Sequence, residues 1–205
     1  MKILYLLIPI FIILLFLTLE IKIESVSMNK DYIPEISINI PNTKYSKLNN
    51  LVQKKIDEIK NVFKEEVQNN YLSDAYLNVD YQEYTSYNFL SYAFFIESYM
   101  GGAHPTHDVF TIVFNRETNN IIDITTLIKY NSKTLNVFSN YSRFNLMYDN
   151  KVEDINMLLE GTIPIINNFK NFVFSDNIII FFEEYQIAPY SSGIISLDIP
   201  YYMIK

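Results

Sequence analysis

Two short stretches of this 205-residue chain gather side chains able to do chemistry. His104 and His107 are the only histidines, with Asp108 beside the second, and two imidazoles with a carboxylate are a ligand set that zinc accepts. A three-residue spacing puts two ligands on one face of a helix, but Gly101, Gly102 and Pro105 mark this segment as a loop running into a strand. The plainer reading is a tight turn in which the glycines adopt conformations closed to other residues and His104 fixes the loop through backbone hydrogen bonds. No metal is expected there; a loop that touches a ligand through Gly101, Gly102 and His104 is the alternative. The second stretch begins with Glu183 and Glu184. Glycan hydrolysis uses two carboxylates held across a bond, but neighbouring strand positions face opposite ways. The two glutamates therefore cannot form that pair and are expected at a solvated strand end. Beyond them, Tyr185 and Tyr190, with Ala188, Pro189 and Gly193, form a loop that can offer aromatic contact area to a protein or a sugar, since tyrosine gives a large surface at small entropy loss. Packing of the same loop on its own domain is the bland alternative.

Other catalytic machinery is not visible. The chain has no cysteine, which closes disulfides, thiolate metal sites, thiol nucleophiles and Cys-lipidated anchors. There is no Gly-x-Ser-x-Gly elbow, phosphate loop or dinucleotide fingerprint, and no cofactor is expected. An enzyme is thus the second choice, as an exported peptidoglycan-modifying hydrolase using His104, Asp108 and Glu183, or an accessory to one. Net charge is −7 and stays there without residues 1–28, because Lys2 and Lys22 leave together with Glu20 and Glu24. An acidic domain repels phosphate backbones, so nucleic-acid binding is not expected, whereas a basic protein would be attracted.

The elements that must hold these residues read as follows. From Ile3 to Leu19 only Tyr5, Pro9 and Thr18 interrupt an apolar run preceded by Lys2. Such a run spans roughly 25 Å as a helix, which fits a membrane anchor or a signal peptide, and the leading positive charge sends the rest of the chain outward. Ile36, Ile38 and Ile40 alternate as in a half-buried strand. Residues 44–69 repeat apolar side chains at three- and four-residue steps, as an amphipathic helix does. Runs at 75–86 and 89–99, separated by Tyr87-Asn88, predict a hairpin, and 109–115 a further strand. Asp123 is placed to cap a short helix; weaker helical patterns cover 132–148 and 152–159. Strands return at 169–174, 178–183 and 194–199. With 17 Tyr and 15 Phe against 4 Gly, and helices segregated from strands, the fold class is α+β, with antiparallel sheets packed on a few helices in two layers.

Two signatures carry a resemblance: Tyr99-Met100-Gly101-Gly102-Ala103-His104-Pro105, and the stretch from Phe182 through Glu183-Glu184-Tyr185-Gln186-Ile187-Ala188-Pro189-Tyr190 to Gly193. Between them lie Phe114-Asn115-Arg116-Glu117-Thr118, Asp123-Ile124-Thr125-Thr126-Leu127-Ile128, Gly161-Thr162 and Asn168-Phe169. Together, from about Ile33 to the end, they resemble a pair of adjoining exported bacterial domains of unknown function. That pair occurs in the outer part of the lysozyme-binding anti-sigma factor RsiV and beside the deacetylase domain of PdaC-type proteins. The resemblance implies an α+β fold outside the membrane and, in one branch, recognition of lysozyme. Only Met1 and Lys2 precede the apolar run, so control of a sigma factor by direct contact is not expected, and no stretch is left for a metal-dependent deacetylase domain.

The resulting expectation is a signal peptide or membrane anchor at 1–28, attached to the membrane through residues 3–19, and an extracytoplasmic domain at 29–205 with halves near 29–130 and 131–205. Its expected role is a binding or sensing module of the cell envelope for lysozyme, another envelope protein or cell-wall glycan. The N-terminus would lie in the cytoplasm and the domain outside, or the domain would be secreted or periplasmic if the leader is cleaved.

Overall fold

The amphipathic repeat forms helix α1 (Ser46–Asn70), whose Leu48, Val52, Ile56, Phe63 and Val67 are buried while its lysines and acids face water. This is from a computed structural model that describes residues 33–204 other than 71, 73 and 151; the expected leader and its apolar segment lie outside the described residues. Among those described, no helix is long and apolar enough to cross a membrane.

α1 lies on a five-stranded sheet with the order β1-β2-β3-β4-β5. The strands are β1 (Glu35–Ile38), β2 (Tyr76–Ser86), β3 (Phe89–Tyr99), β4 (Thr106–Asn115) and β5 (Asn120–Ile122). Tyr87, with φ 47°, makes the left-handed turn that a two-residue hairpin loop requires. Strand β1 departs from the antiparallel expectation. It pairs parallel to β2, Glu35 opposite Tyr76, because α1 carries the chain back across the sheet before β2 begins. Strand β4 also starts before Val109, at Thr106.

A second sheet, β6 (Phe172–Phe174), β7 (Ile178–Phe182) and β8 (Ile195–Ile199), is antiparallel throughout. Its helices are α2 (Ile124–Tyr130), α3 (Thr134–Leu146) and α4 (Ile155–Gly161). Asp123 caps α2, its Oδ1 accepting from the Thr126 N–H at 2.8 Å. Phe169 belongs to a 3-10 turn, Ile166–Phe169, where a strand was expected. The amide of Asn168 curls the chain there by donating to the Ile163 carbonyl at 3.0 Å.

Side-chain alternation explains the stacking. Ile178, Ile180 and Phe182 face a core shared with Leu127, Phe138, Leu158 and Phe169. Val173 and Phe181 face the other way and meet Ala93 and Val109 of the first sheet. The first sheet carries α1 on its outer face and the second carries α2, α3 and α4, and the two sheets pack through their inner faces. The fold is α+β with one mixed and one antiparallel sheet.

Candidate functional site

Past the edge of the second sheet, the inner face of β2, β3 and β4 is left open, and the polar members of its alternation are gathered there. β2 brings Tyr76, Asn78 and Asp80, β3 brings Glu97 and Tyr99, and β4 brings His107, while apolar Phe95 packs on Phe181 of the second sheet. The register sets Tyr76 opposite Tyr99, Asn78 opposite Glu97 and Glu97 opposite His107. The connection from β7 to β8 forms the wall. Between floor and wall runs an open cleft of about 550 Å³, lined by Asp80, Glu97, His107, Glu184, Tyr190 and Ile194 among others.

Glu184 anchors the wall to the floor. Its carboxylate accepts from Nδ1 of His107 at 2.6 Å and from the His107 backbone N–H at 3.0 Å. The Glu184 side chain is only 7% exposed, so the expectation of two solvated glutamates fails for this one. Two N–H donors replace the water it loses. Glu183 points elsewhere, taking Lys170 at 3.0 Å and the Asn171 amide at 3.0 Å. Because Nδ1 faces the carboxylate, the other ring nitrogen of His107 is left for the cleft side.

The loop between them is shaped from within. The Gln186 N–H donates to the Glu183 carbonyl at 3.1 Å, closing a turn that holds Tyr185 at φ 61°. Gln186 then ties the turn to the second sheet's helices, its amide donating to the carbonyls of Gly161 and Asn168 at 2.9 Å each. A Cβ on Gly161 would lie 1.8 Å from the Gln186 carbonyl oxygen, so only glycine allows this approach.

Tyr190 is the hub of an aromatic row. The His104 ring stacks on it at 3.8 Å between centroids, Tyr185 lies at 6.1 Å and His107 at 6.0 Å. Gly101 and Gly102, at φ 82° and 112°, turn the β3–β4 loop toward this row. Tyr99 fixes the loop by donating to the Gly102 carbonyl at 3.0 Å, and His104 Nδ1 contacts the Pro105 carbonyl at 2.9 Å. Scarcity of water pushes the Tyr190 phenol above its ordinary range, with the charges of Glu184 and Glu97 acting the same way. Tyr76 is pushed up first by its 2.6 Å hydrogen bond to Glu97.

Of the candidates from sequence, His104, Tyr185 and Tyr190 meet in one row, with Gly101 and Gly102 shaping its neighbouring loop. Asp108 and Glu183 do not join them at the cleft. Asp108 follows His107 on β4 and borders a groove on the α1 side with Ile59 and Val62. It keeps solvent access, yet partial desolvation, with Glu183 and Glu184 adding negative charge, holds its carboxyl above the usual range. Among the described residues no group of three His, Cys, Asp or Glu is placed to hold a metal ion. Sequence reasoning missed the floor residues Asn78, Asp80 and Glu97; their one signal was polar alternation at the hairpin's open end.

Residues 119–202 match the family described as Protein of unknown function (DUF3298). That segment includes the second sheet, its helices and the whole cleft wall. Among solved structures, a DUF3298 family member from Bacteroides fragilis aligns over 76% of this chain and 67% of its own, at 20% identity and a TM-score of 0.51. A DUF3298 family protein from Pseudomonas aeruginosa aligns over 64% and 60%, at 15% identity and a TM-score of 0.48. The first likeness concerns the fold. No curated protein matches the chain.

Proposed function

We propose that this chain is an extracytoplasmic binding or sensing module of the bacterial cell envelope, of the RsiV and PdaC N-terminal type, and that the cleft beside Tyr190 is where it meets its partner. The observation that carries this reading is the meeting of two loops far apart in sequence, one at His104 and the other at Tyr190. The His104 loop stacks on Tyr190 at 3.8 Å beside an open cleft. Concave sites with aromatic walls and a few converging polar groups are the usual form of a binding site. The partner favoured by charge is a basic protein such as lysozyme, because the chain carries −7; cell-wall glycan is the other partner of this class. Export rests on the apolar run at 3–19 behind Lys2.

The test is calorimetric titration of the full chain, held in non-ionic detergent, with lysozyme at low and physiological salt. Saturable 1:1 binding that survives physiological salt supports the reading. Binding abolished by screening, or none, removes lysozyme as the partner.

One observation favours a second reading, a hydrolase. A buried carboxylate holding an imidazole by Nδ1 at a cleft is how many enzymes orient a general base. Turnover of peptidoglycan fragments that disappears in His107→Ala would support it; equal rates in the two proteins would remove it.

A further inference from the structure

The cleft floor carries negative charge that no lysine or arginine among the described residues answers. Asp80 accepts from the Asn39 amide at 3.0 Å and the Tyr81 backbone N–H at 2.8 Å, and Glu97 accepts from the Tyr76 hydroxyl at 2.6 Å. All three donors are neutral. Glu184 is occupied by His107, and no lysine or arginine lines the cleft among the described residues. The remainder of the lining is neutral: Phe95 and Asn78 on the floor, and Tyr190, Ser191, Ser192, Gly193 and Ile194 along the wall. Unneutralised carboxylates of one sign gathered in a cleft focus a negative potential there.

We propose that this cleft seats an arginine side chain of a basic protein partner, its guanidinium held between the Tyr190 ring and the carboxylates of Asp80 and Glu97. The inference rests on the binding reading above and names the chemistry of its partner. Arginine fits better than lysine because the guanidinium is planar, donates to two carboxylates at once, gives up its hydration more easily and stacks on an aromatic ring. Charge complementarity selects it over a saccharide: neutral hydroxyls would leave the two carboxylates without counter-charge.

Capped hexa-arginine and hexa-citrulline peptides separate charge from shape, since citrulline keeps the planar head and loses the charge. They are titrated at physiological salt into the full chain in detergent and into Asp80→Asn, Glu97→Gln and the double variant. A second control, Asp57→Asn with Glu58→Gln on the exposed face of α1, removes the same formal charge elsewhere. The expected result is arginine binding at least about tenfold tighter than citrulline, weakened about tenfold by the double floor variant and unchanged by the α1 control. Equal binding of the two peptides, equal loss in the floor and α1 variants, or saturation by tri-N-acetylchitotriose with no binding of the arginine peptide overturns the inference. Lysozyme binding that persists unchanged in the double floor variant also overturns it while leaving the binding reading in place. If neither lysozyme nor the arginine peptide binds, the inference is overturned and the binding reading is left with cell-wall glycan as its partner.

Discussion

Both oxygens of the Glu184 carboxylate are committed to one residue, His107, one to its ring at 2.6 Å and the other to its backbone N–H at 3.0 Å. The two residues are 77 positions apart, so this contact clamps the wall of the cleft to its floor.

Removing that carboxylate leaves a backbone donor of β4 without its partner and frees the wall. Glu184→Ala is expected to destabilise the fold by about 1–3 kcal/mol, measured by denaturant unfolding. Glu184→Gln, which can still accept one of the two hydrogen bonds, should lose less. Equal losses in the two variants would contradict the two-bond clamp.

Gly161 tests the other attachment of the same loop. A methyl group there meets the Gln186 carbonyl oxygen at 1.8 Å, and neither partner can rotate away because both atoms belong to ordered backbone. Gly161→Ala is expected to cost about 3 kcal/mol, together with higher amide exchange across the 183–193 loop. Wild-type stability would mean that the loop does not pack on the end of α4.

Much of the scaffold was legible in the chain because its signals are local. The repeat from Leu48 to Val67 defines α1, Tyr87-Asn88 sits between two β-rich runs, and Asp123 precedes a short apolar helix. The parallel pairing of β1 was not legible, since it depends on where α1 returns the chain. The start of β4 was hidden by the polar run Thr106–Asp108. At the cleft, the signature loops pointed to His104, Tyr185 and Tyr190. The convergence of Asp80, Glu97 and His107 was not visible, because it is set by strand register and by the stacking of two sheets. Asp108, named for the alternative hydrolase, lies away from the cleft for the same reason: strand alternation turns it to the opposite face from His107.

Tyr185 is held at φ 61° and is 57% exposed, a conformation that a side chain with Cβ adopts at a cost of about 1–2 kcal/mol. Tyr185→Gly relieves that strain, so the folded state should be at least as stable as wild type by thermal unfolding, while lysozyme affinity falls. A stability loss without an affinity loss would show that the ring serves the fold instead.

Two carboxylates set opposite pH dependences. Asp123 is held below the usual range, first by its hydrogen bond from Thr125, so its contribution is present above the unfolded pKa and lost as pH falls through the folded one. Asp123→Ala should lose about 1 kcal/mol of cap stability at neutral pH and flatten the acid limb of the stability profile. Asp108 is held above the usual range by desolvation, so its charge opposes folding at neutral pH and the penalty fades as pH falls through its folded pKa. Asp108→Asn should therefore stabilise the protein at neutral pH and not in acid. Stability profiles of the two variants between pH 3 and 8 on the ordinary carboxylate scale decide both signs.

The most direct measurement of the central claim is hydrogen exchange of the full chain with and without saturating lysozyme. The account predicts added protection concentrated in three segments that are separate in sequence and meet at the cleft: 76–80, 97–107 and 184–194. Protection confined to the outer face of α1 or to the helices of the second sheet, or no change anywhere, would contradict it.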